Sequence, residues 1–230
     1  MLAIFENKVA HPPKELSSPA STKVSKKPKL PEDTLKEFLS KNPNNSFSMS
    51  FGNSAALAYV RPDRPFPINQ RQYGLSKGTN DAMIMIEAYR TLRDRGPYPA
   101  DQVVKDLEGS FAFVIYDHKA RTLFTALASD GKIKLFWGIA ADGSVVISDE
   151  LEVVKGSCAK SFAPFPTGCM FHSENGLMNY EHPVNKMKAM PRVDSEGVMC
   201  GANFKVDTYS RINSMPRVGS ETNWCEWSSA

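Results

Sequence analysis

Thiols are the first side chains to weigh for chemistry, and the chain holds four: Cys158, Cys169, Cys200 and Cys225. A cysteine attacks a carbonyl or an amide when its thiolate is accessible and a base stands beside it. The four are widely spaced and form no Cys-x-x-Cys pair, which argues against a zinc site and for free, partly buried thiols in a reducing compartment. His118 follows Asp117 in a polar turn, where a solvated residue is a better reading than a general base. His172 and His182 flank a hairpin pattern with no third residue at metal-ligand spacing. Arg90, Arg93, Asp94 and Arg95 could hold an anion, but they fall in a last helical turn, where cations complement the helix dipole, so a capping role is preferred. No carboxylate cluster suggests a hard-cation site, and no cofactor is expected.

Composition narrows the class. With 41% hydrophobic and 23% charged residues over 230 positions, the chain suits one globular domain with a sizeable core. No apolar run has the length needed to span a bilayer. Met1 to Phe5 is apolar, but Glu6, Asn7 and Lys8 interrupt it at once, so no signal peptide is expected and an intracellular, cytoplasmic protein is. The net charge of +3 is uneven: residues 1–30 hold six lysines and two glutamates, leaving the rest at −1. Lys23 to Lys29 is a candidate nuclear signal or anion contact, set against the simpler reading of a solvated Ser/Pro-rich loop. The body has no basic face with interleaved aromatics, so no specific nucleic-acid partner is expected.

The elements that must position any site follow from periodicity. Met1 to Phe5 reads as a short buried strand. Residues 16–30 read as a flexible basic Ser/Pro/Lys loop. Pro31 to Thr34 opens a helix with proline first and acids in its first turn, and Asn42-Pro43-Asn44-Asn45 stops it. Phe47, Met49 and Phe51 alternate as a half-buried strand does, and Ala55 to Val60 reads as the next. A long helix runs from Asp81 to Arg95 with apolar residues at helical period, ended by Gly96-Pro97. Ala100 to Leu107 reads as a shorter one. Phe111 to Tyr116 is almost wholly apolar, which suggests a central strand buried on both faces. Thr122 to Ala128, Lys134 to Ile139 and Ser144 to Ser148 follow as a meander joined by Asp130-Gly131 and Asp142-Gly143, implying an antiparallel sheet. Cys169 to His172 and Leu177 to Tyr180 form a hairpin pattern, and Val198 to Val206 a further strand. Helices packed on such a sheet give α+β layering. One domain is expected over 1–215, with a disordered tail at 216–230.

Tyr73-Gly74-Leu75 and Leu92-Arg93-Asp94-Arg95 are unusual wordings, and with them the chain resembles the plant aluminium-induced, stem-specific-like proteins over nearly its whole length. About 80 residues also resemble the class II glutamine amidotransferase domain of asparagine synthetase. The series is Asn80 to Gly96, Val103 to Gly109, Ser110-Phe111-Ala112-Phe113 to Asp117, Ser129-Asp130-Gly131-Lys132 to Gly138, and Val146-Ile147-Ser148-Asp149-Glu150. The resemblance implies a four-layer αββα sandwich of the N-terminal-nucleophile type.

A glutaminase of that type needs a nucleophile at its N-terminus, activated by its own amine. Leu2 stands there instead, and leucine is too bulky for ordinary removal of Met1. The segment 65–75 also looks shorter than in relatives by a strand pair, so one sheet is expected to be shortened, with a raw edge or exposed apolar surface. The resemblance implies Thr79, Asp81 and Asp130 as ligand-binding positions, although Asp81 also suits a helix start. The reading that follows is a non-catalytic amidotransferase-like protein, a binding or regulatory module in a plant stress or metal response. Its partner would be another protein, a small amide or amino acid, or a second copy. The alternatives are an active amidohydrolase using Cys158 or Cys169, and a homo-oligomeric scaffold.

Overall fold

The computed structural model describes residues 1–18, 29–41, 43–60, 81–94, 100–193, 197 and 199–211. The Tyr73-Gly74-Leu75 segment, Thr79, Arg95, the lysine run up to residue 28, Cys225 and the tail 216–230 lie outside these. Helices pack on antiparallel sheets, so the protein is of the α+β kind.

The larger sheet has six strands. Its members are β1 (Leu2–Phe5), β2 (Ser46–Phe51), β3 (Ala55–Val60), β6 (Phe136–Ile139), β7 (Val145–Ser148) and β8 (Phe162–Pro164), in the order β2-β3-β1-β7-β6-β8. The smaller sheet orders β4 (Ala112–Asp117), β5 (Thr122–Leu127), β9 (Cys169–His172) and β10 (Gly176–Asn179) as β10-β9-β5-β4. A long hairpin of β11 (Asn185–Val193) and β12 (Met199–Arg211) stands beside them.

Strand alternation assigns the faces, because successive side chains point to opposite sides. Leu2 and Ile4 of β1 pack with α2 (Pro31–Lys41) and α5 (Leu151–Cys158), through Phe38, Val153 and Val154. Ala3 and Phe5 face the other way, into a cluster with Leu123 and Leu127 of β5, Trp137 of β6 and Phe171 of β9. The opposite face of β5 presents Phe124 and Ala126 to Tyr89 of α3 (Asp81–Asp94) and Val104 of α4 (Ala100–Lys105). The hairpin adds Ala202 and Phe204 to the cluster between the sheets. Arg192 stitches it there: Nε donates to the Cys200 carbonyl at 2.9 Å, a terminal nitrogen donates to the Phe162 carbonyl at 2.8 Å, and the guanidinium lies 4.0 Å from the Phe162 ring centre.

Three sequence expectations change. Residues 122–148 do not form one meander: β5 belongs to the small sheet and β6 to the large one, so Asp130-Gly131 lies on a crossing between sheets. Only Asp142-Gly143 joins hairpin partners. Among the described residues Phe111 to Tyr116 is not central, since β4 is there the last strand of its sheet. Apolar composition reports burial of the two faces, which the inter-sheet cluster and α3–α4 supply here, and says nothing of the edge. Leu16, placed at the start of a flexible loop, is fully buried in a turn of 3-10 helix over Lys14–Leu16.

The layer between the sheets carries buried polar atoms without partners among the described residues: Tyr116 Oη, Thr125 Oγ1 and Trp137 Nε1. An unsatisfied buried hydroxyl opposes folding, and valine has nearly the shape of threonine. Thr125→Val is therefore expected to stabilise the protein by about 1 kcal/mol, read as a raised denaturation midpoint with unchanged slope.

Candidate functional site

The start of β1 is where an N-terminal nucleophile would have to stand. β1 lies inside the large sheet, with Leu2 opposite Ala58 of β3 and Ser148 of β7. The Leu2 side chain is 1% exposed and turned toward α2 and α5, away from the layer between the sheets. Met1 packs into that layer. Its amino group donates to Asp149 Oδ1 at 2.5 Å, and its carbonyl accepts from Ser148 Oγ at 2.7 Å. The Ser148 hydroxyl in turn accepts from the Glu150 N–H at 3.1 Å. Ser148 and Asp149 therefore hold the start of the chain, a role their place after an apolar strand could not reveal. The site has a cation, a carboxylate and a hydroxyl, but no nucleophilic side chain at the second position.

The three positions expected to bind a ligand are not assembled by any described contact. Thr79 lies outside the described residues. Asp81 opens α3, and its side chain is not among those described. Asp130 sits on the crossing between sheets, where it accepts from Ser110 Oγ and from the Lys132 N–H, with Lys132 Nζ 3.6 Å away. The Ser110 hydroxyl, helped by Lys132, holds its carboxyl below the usual range. These contacts fix a loop and keep Asp130 ionised.

The sulfurs are poorly placed to attack anything. Cys158 ends α5 at 3% exposure, and burial pushes its thiol far up. Cys169 on β9 is fully buried, and burial pushes its pKa to about 12 against a small opposing effect of Asn179. Asn179 Nδ2, 3.8 Å from its sulfur, is its polar neighbour, and an amide is no base. Thiolate is the reactive form, so both thiols are expected to stay unmodified by a disulfide reagent at neutral pH until denaturant is added, counted by absorbance of the released thiol. Early reaction of one described cysteine would reopen the amidohydrolase alternative.

Among the described residues, the arginines at the end of α3 are already paired with carboxylates. Arg90 pairs with Glu87, and Arg93 spans Asp94 on its own helix and Asp117 at the end of β4. Asp117 is 9% exposed and also accepts from Tyr89 Oη at 3.1 Å and from the N–H groups of Lys119 and Ala120. Tyr89 Oη meets Thr122 Oγ1 at 3.1 Å as well. Arg93 thus sits in the last turn of α3, as expected, and also ties that helix to the end of β4 through Asp117. His118 packs its ring on Phe51 at 5.5 Å. His172 accepts from the Glu174 N–H at 3.2 Å, and burial lowers its pKa.

The sequence profile of the family described as "Aluminium induced protein" matches residues 2–71 and 65–206. The stem-specific protein TSJT1 of Nicotiana tabacum is 39% identical over 149 residues, covering 55% of this chain and 99% of the tobacco protein. Fifty-five per cent of 230 residues is about 127, so about 22 of those 149 aligned positions have no residue here. The profile match divides at 65–71, just past β3. A probable glutamine-hydrolysing asparagine synthetase of Dictyostelium discoideum is 40% identical over 74 residues, 32% of this chain and 13% of that one. The glutamine-hydrolysing asparagine synthetase of Zea mays is 32% identical over 113 residues, 49% of this chain and 19% of that one. The chain thus spans less than a fifth of either synthetase.

Proposed function

The chain belongs to the aluminium-induced protein family, and from that premise we propose that it is a non-catalytic, glutamine amidotransferase-like binding or regulatory module in a plant stress or metal response. Its fold on this reading is a four-layer αββα sandwich of the N-terminal-nucleophile type over residues 1–215, working in the cytoplasm and nucleus. Support for the fold comes from the similarity to asparagine synthetases together with helices on the outer faces of two facing sheets.

One observation carries the functional half. The second residue is a leucine, buried and turned into the helix-covered face of the large sheet. A glutaminase reaction needs a thiolate or alkoxide at that place to attack the side-chain amide. Neither Leu2 nor the buried Cys158 and Cys169 offers one. What the scaffold retains is a strand end whose amino group is held by the Asp149 carboxylate and whose carbonyl is held by Ser148, with no nucleophile beside it.

Incubation with glutamine tests the reading, with ammonia as the readout and thermal melts run beside it. Ammonia production is expected to stay at the level of a protein-free blank. A melt raised by glutamine or asparagine and not by glutamate would identify a surviving amide site, since a ligand at a hundred times its Kd adds about 2.7 kcal/mol to stability. Ammonia release that is lost when Cys169 is replaced by serine would overturn the non-catalytic reading.

A further inference from the structure

The turn between β9 and β10 is held by two imidazoles with opposite requirements. At its start, His172 Nδ1 accepts from the Glu174 N–H at 3.2 Å, and the His172 carbonyl accepts from the Asn175 N–H at 3.1 Å. A ring nitrogen accepts only through a free lone pair, so His172 is here neutral, with its proton on Nε2. His11, which follows α1 (Asn7–Ala10), places Nδ1 3.3 Å from the Ser173 carbonyl. A carbonyl only accepts, so this Nδ1 carries a proton, and the bond survives when the ring is charged.

The residues on either side of the turn are pinned. The Ser173 N–H donates to the Leu123 carbonyl at 2.9 Å, and its hydroxyl accepts from the Leu123 N–H at 3.0 Å, both on β5. At the far end of the hairpin, Asn179 Nδ2 donates to the Gly168 carbonyl at 2.9 Å and Asn179 Oδ1 accepts from the His182 N–H at 2.6 Å. Amides, hydroxyls and backbone groups keep these bonds at any mild pH. The bond between His172 and Glu174 is the one that a proton abolishes.

The surroundings of the His172 ring favour its neutral form. It lies 5.9 Å from the Phe124 ring on β5, and Gly176 of β10 stands opposite on the other side. Behind Phe124 come Tyr89, 6.2 Å from it, and the Asp117–Arg93 pair, whose charges offset one another. Glu174, on the turn itself, is the carboxylate that acts on the ring. Burial lowers the His172 pKa and Glu174 opposes it, burial having the larger effect.

We infer that this turn is an acid-sensitive latch: a proton from solvent converts His172 Nδ1 from acceptor to donor, releases the Glu174 N–H and opens residues 174–176, while Ser173 and Asn179 keep β9 and β10 in the sheet. A group whose folded pKa lies below its unfolded value, about 6.5 for histidine, contributes stability above that value and loses it as pH falls through the folded one. The latch is therefore closed at neutral pH and opens in mild acid.

Amide exchange followed by NMR against pH, beside the titration of the His172 ring, tests this in the full chain. Corrected for the intrinsic pH dependence of exchange, the Glu174 amide is expected to lose protection about fivefold on acidification, the worth of one hydrogen bond. The midpoint should coincide with the titration of the ring, below about pH 6.5. The Leu123 and Ser173 amides should stay protected over the same range. His172→Asn puts an oxygen near the place of Nδ1 that takes up no proton in this range, so protection is expected to persist in acid. His172→Phe keeps a ring and removes the acceptor, so the Glu174 amide is expected to exchange fast at every pH. His11→Asn should leave the response at Glu174 in place. Protection at Glu174 that ignores the His172 titration overturns the inference, as does acid sensitivity retained by His172→Asn. Loss of Leu123 and Ser173 protection at the same midpoint overturns it too, because the domain then opens as a whole. The wild-type titration stands whether or not the variants fold.

Discussion

Trp137→Ala is expected to lower stability by about 3–5 kcal/mol, enough to leave a domain of ordinary stability largely unfolded. The indole is fully buried, and its ring centre lies 5.1 Å from Phe165, 5.3 Å from Phe171 and 5.5 Å from Phe204. Those partners come from the segment after β8, from β9 in the small sheet and from β12 in the hairpin. One side chain therefore packs against three elements at once, and none can collapse onto the space without leaving the others. Trp137→Phe removes part of the volume together with the indole N–H, which has no partner among the described residues. It is expected to cost well under half as much, and chemical denaturation of the two variants beside wild type would show it. Equal losses would mean that the N–H is bonded in solution and that the packing account is wrong.

Asp117→Ala is the second large effect, about 2–4 kcal/mol. Its carboxylate accepts from Tyr89, Arg93 and the N–H groups of Lys119 and Ala120, all of which lose a partner together. Burial works to raise its pKa, but the Ala120 N–H, Arg93, Tyr89 and the Lys119 N–H outweigh that and hold it below the ordinary aspartate value. A carboxyl depressed in the folded state contributes stability that is fully present above its unfolded pKa, about 3.9, and fades as pH falls through the folded one. The difference between wild type and variant should therefore be constant near neutrality and shrink in acid below about pH 4. Arg93→Ala should cost less, because the guanidinium is half exposed and screened by water. A gap between wild type and Asp117→Ala that widens in acid would contradict the depressed pKa.

Local pattern carried the reading of elements and failed at their assembly. The helix expected over 81–95 is α3, because its apolar residues keep a helical period and Gly96-Pro97 follows at once. Strand β11 escaped notice although Met187 and Ala189 alternate with Lys186 and Lys188, since Pro191 and the charges resemble loop. Sheet membership was not legible: an Asp-Gly turn looks the same whether it joins hairpin partners, as after β6, or lies on a crossing, as after β5. At the candidate site, Leu2 was readable as a residue without a nucleophile, but not its direction, which depends on neighbours far along the chain. Asp130 was found by resemblance, and its bond to Ser110 came only with the fold. The place of Arg93 in a last helical turn is legible in the sequence, and its partner Asp117 is not, because it lies on another element.

The placement of β1 has a consequence for how the protein is made. Its neighbours are β3 and β7, and the Ser148 hydroxyl that holds the Met1 carbonyl is 147 positions away. β1 thus leaves the ribosome well before β7, and this apolar strand cannot be fully seated until the chain has been synthesised past Ser148. Contacts of such range are slow to form and leave apolar strands exposed to self-association meanwhile. Synthesis rate and chaperone supply, more than the stability of the finished molecule, should set how much soluble protein a cell accumulates.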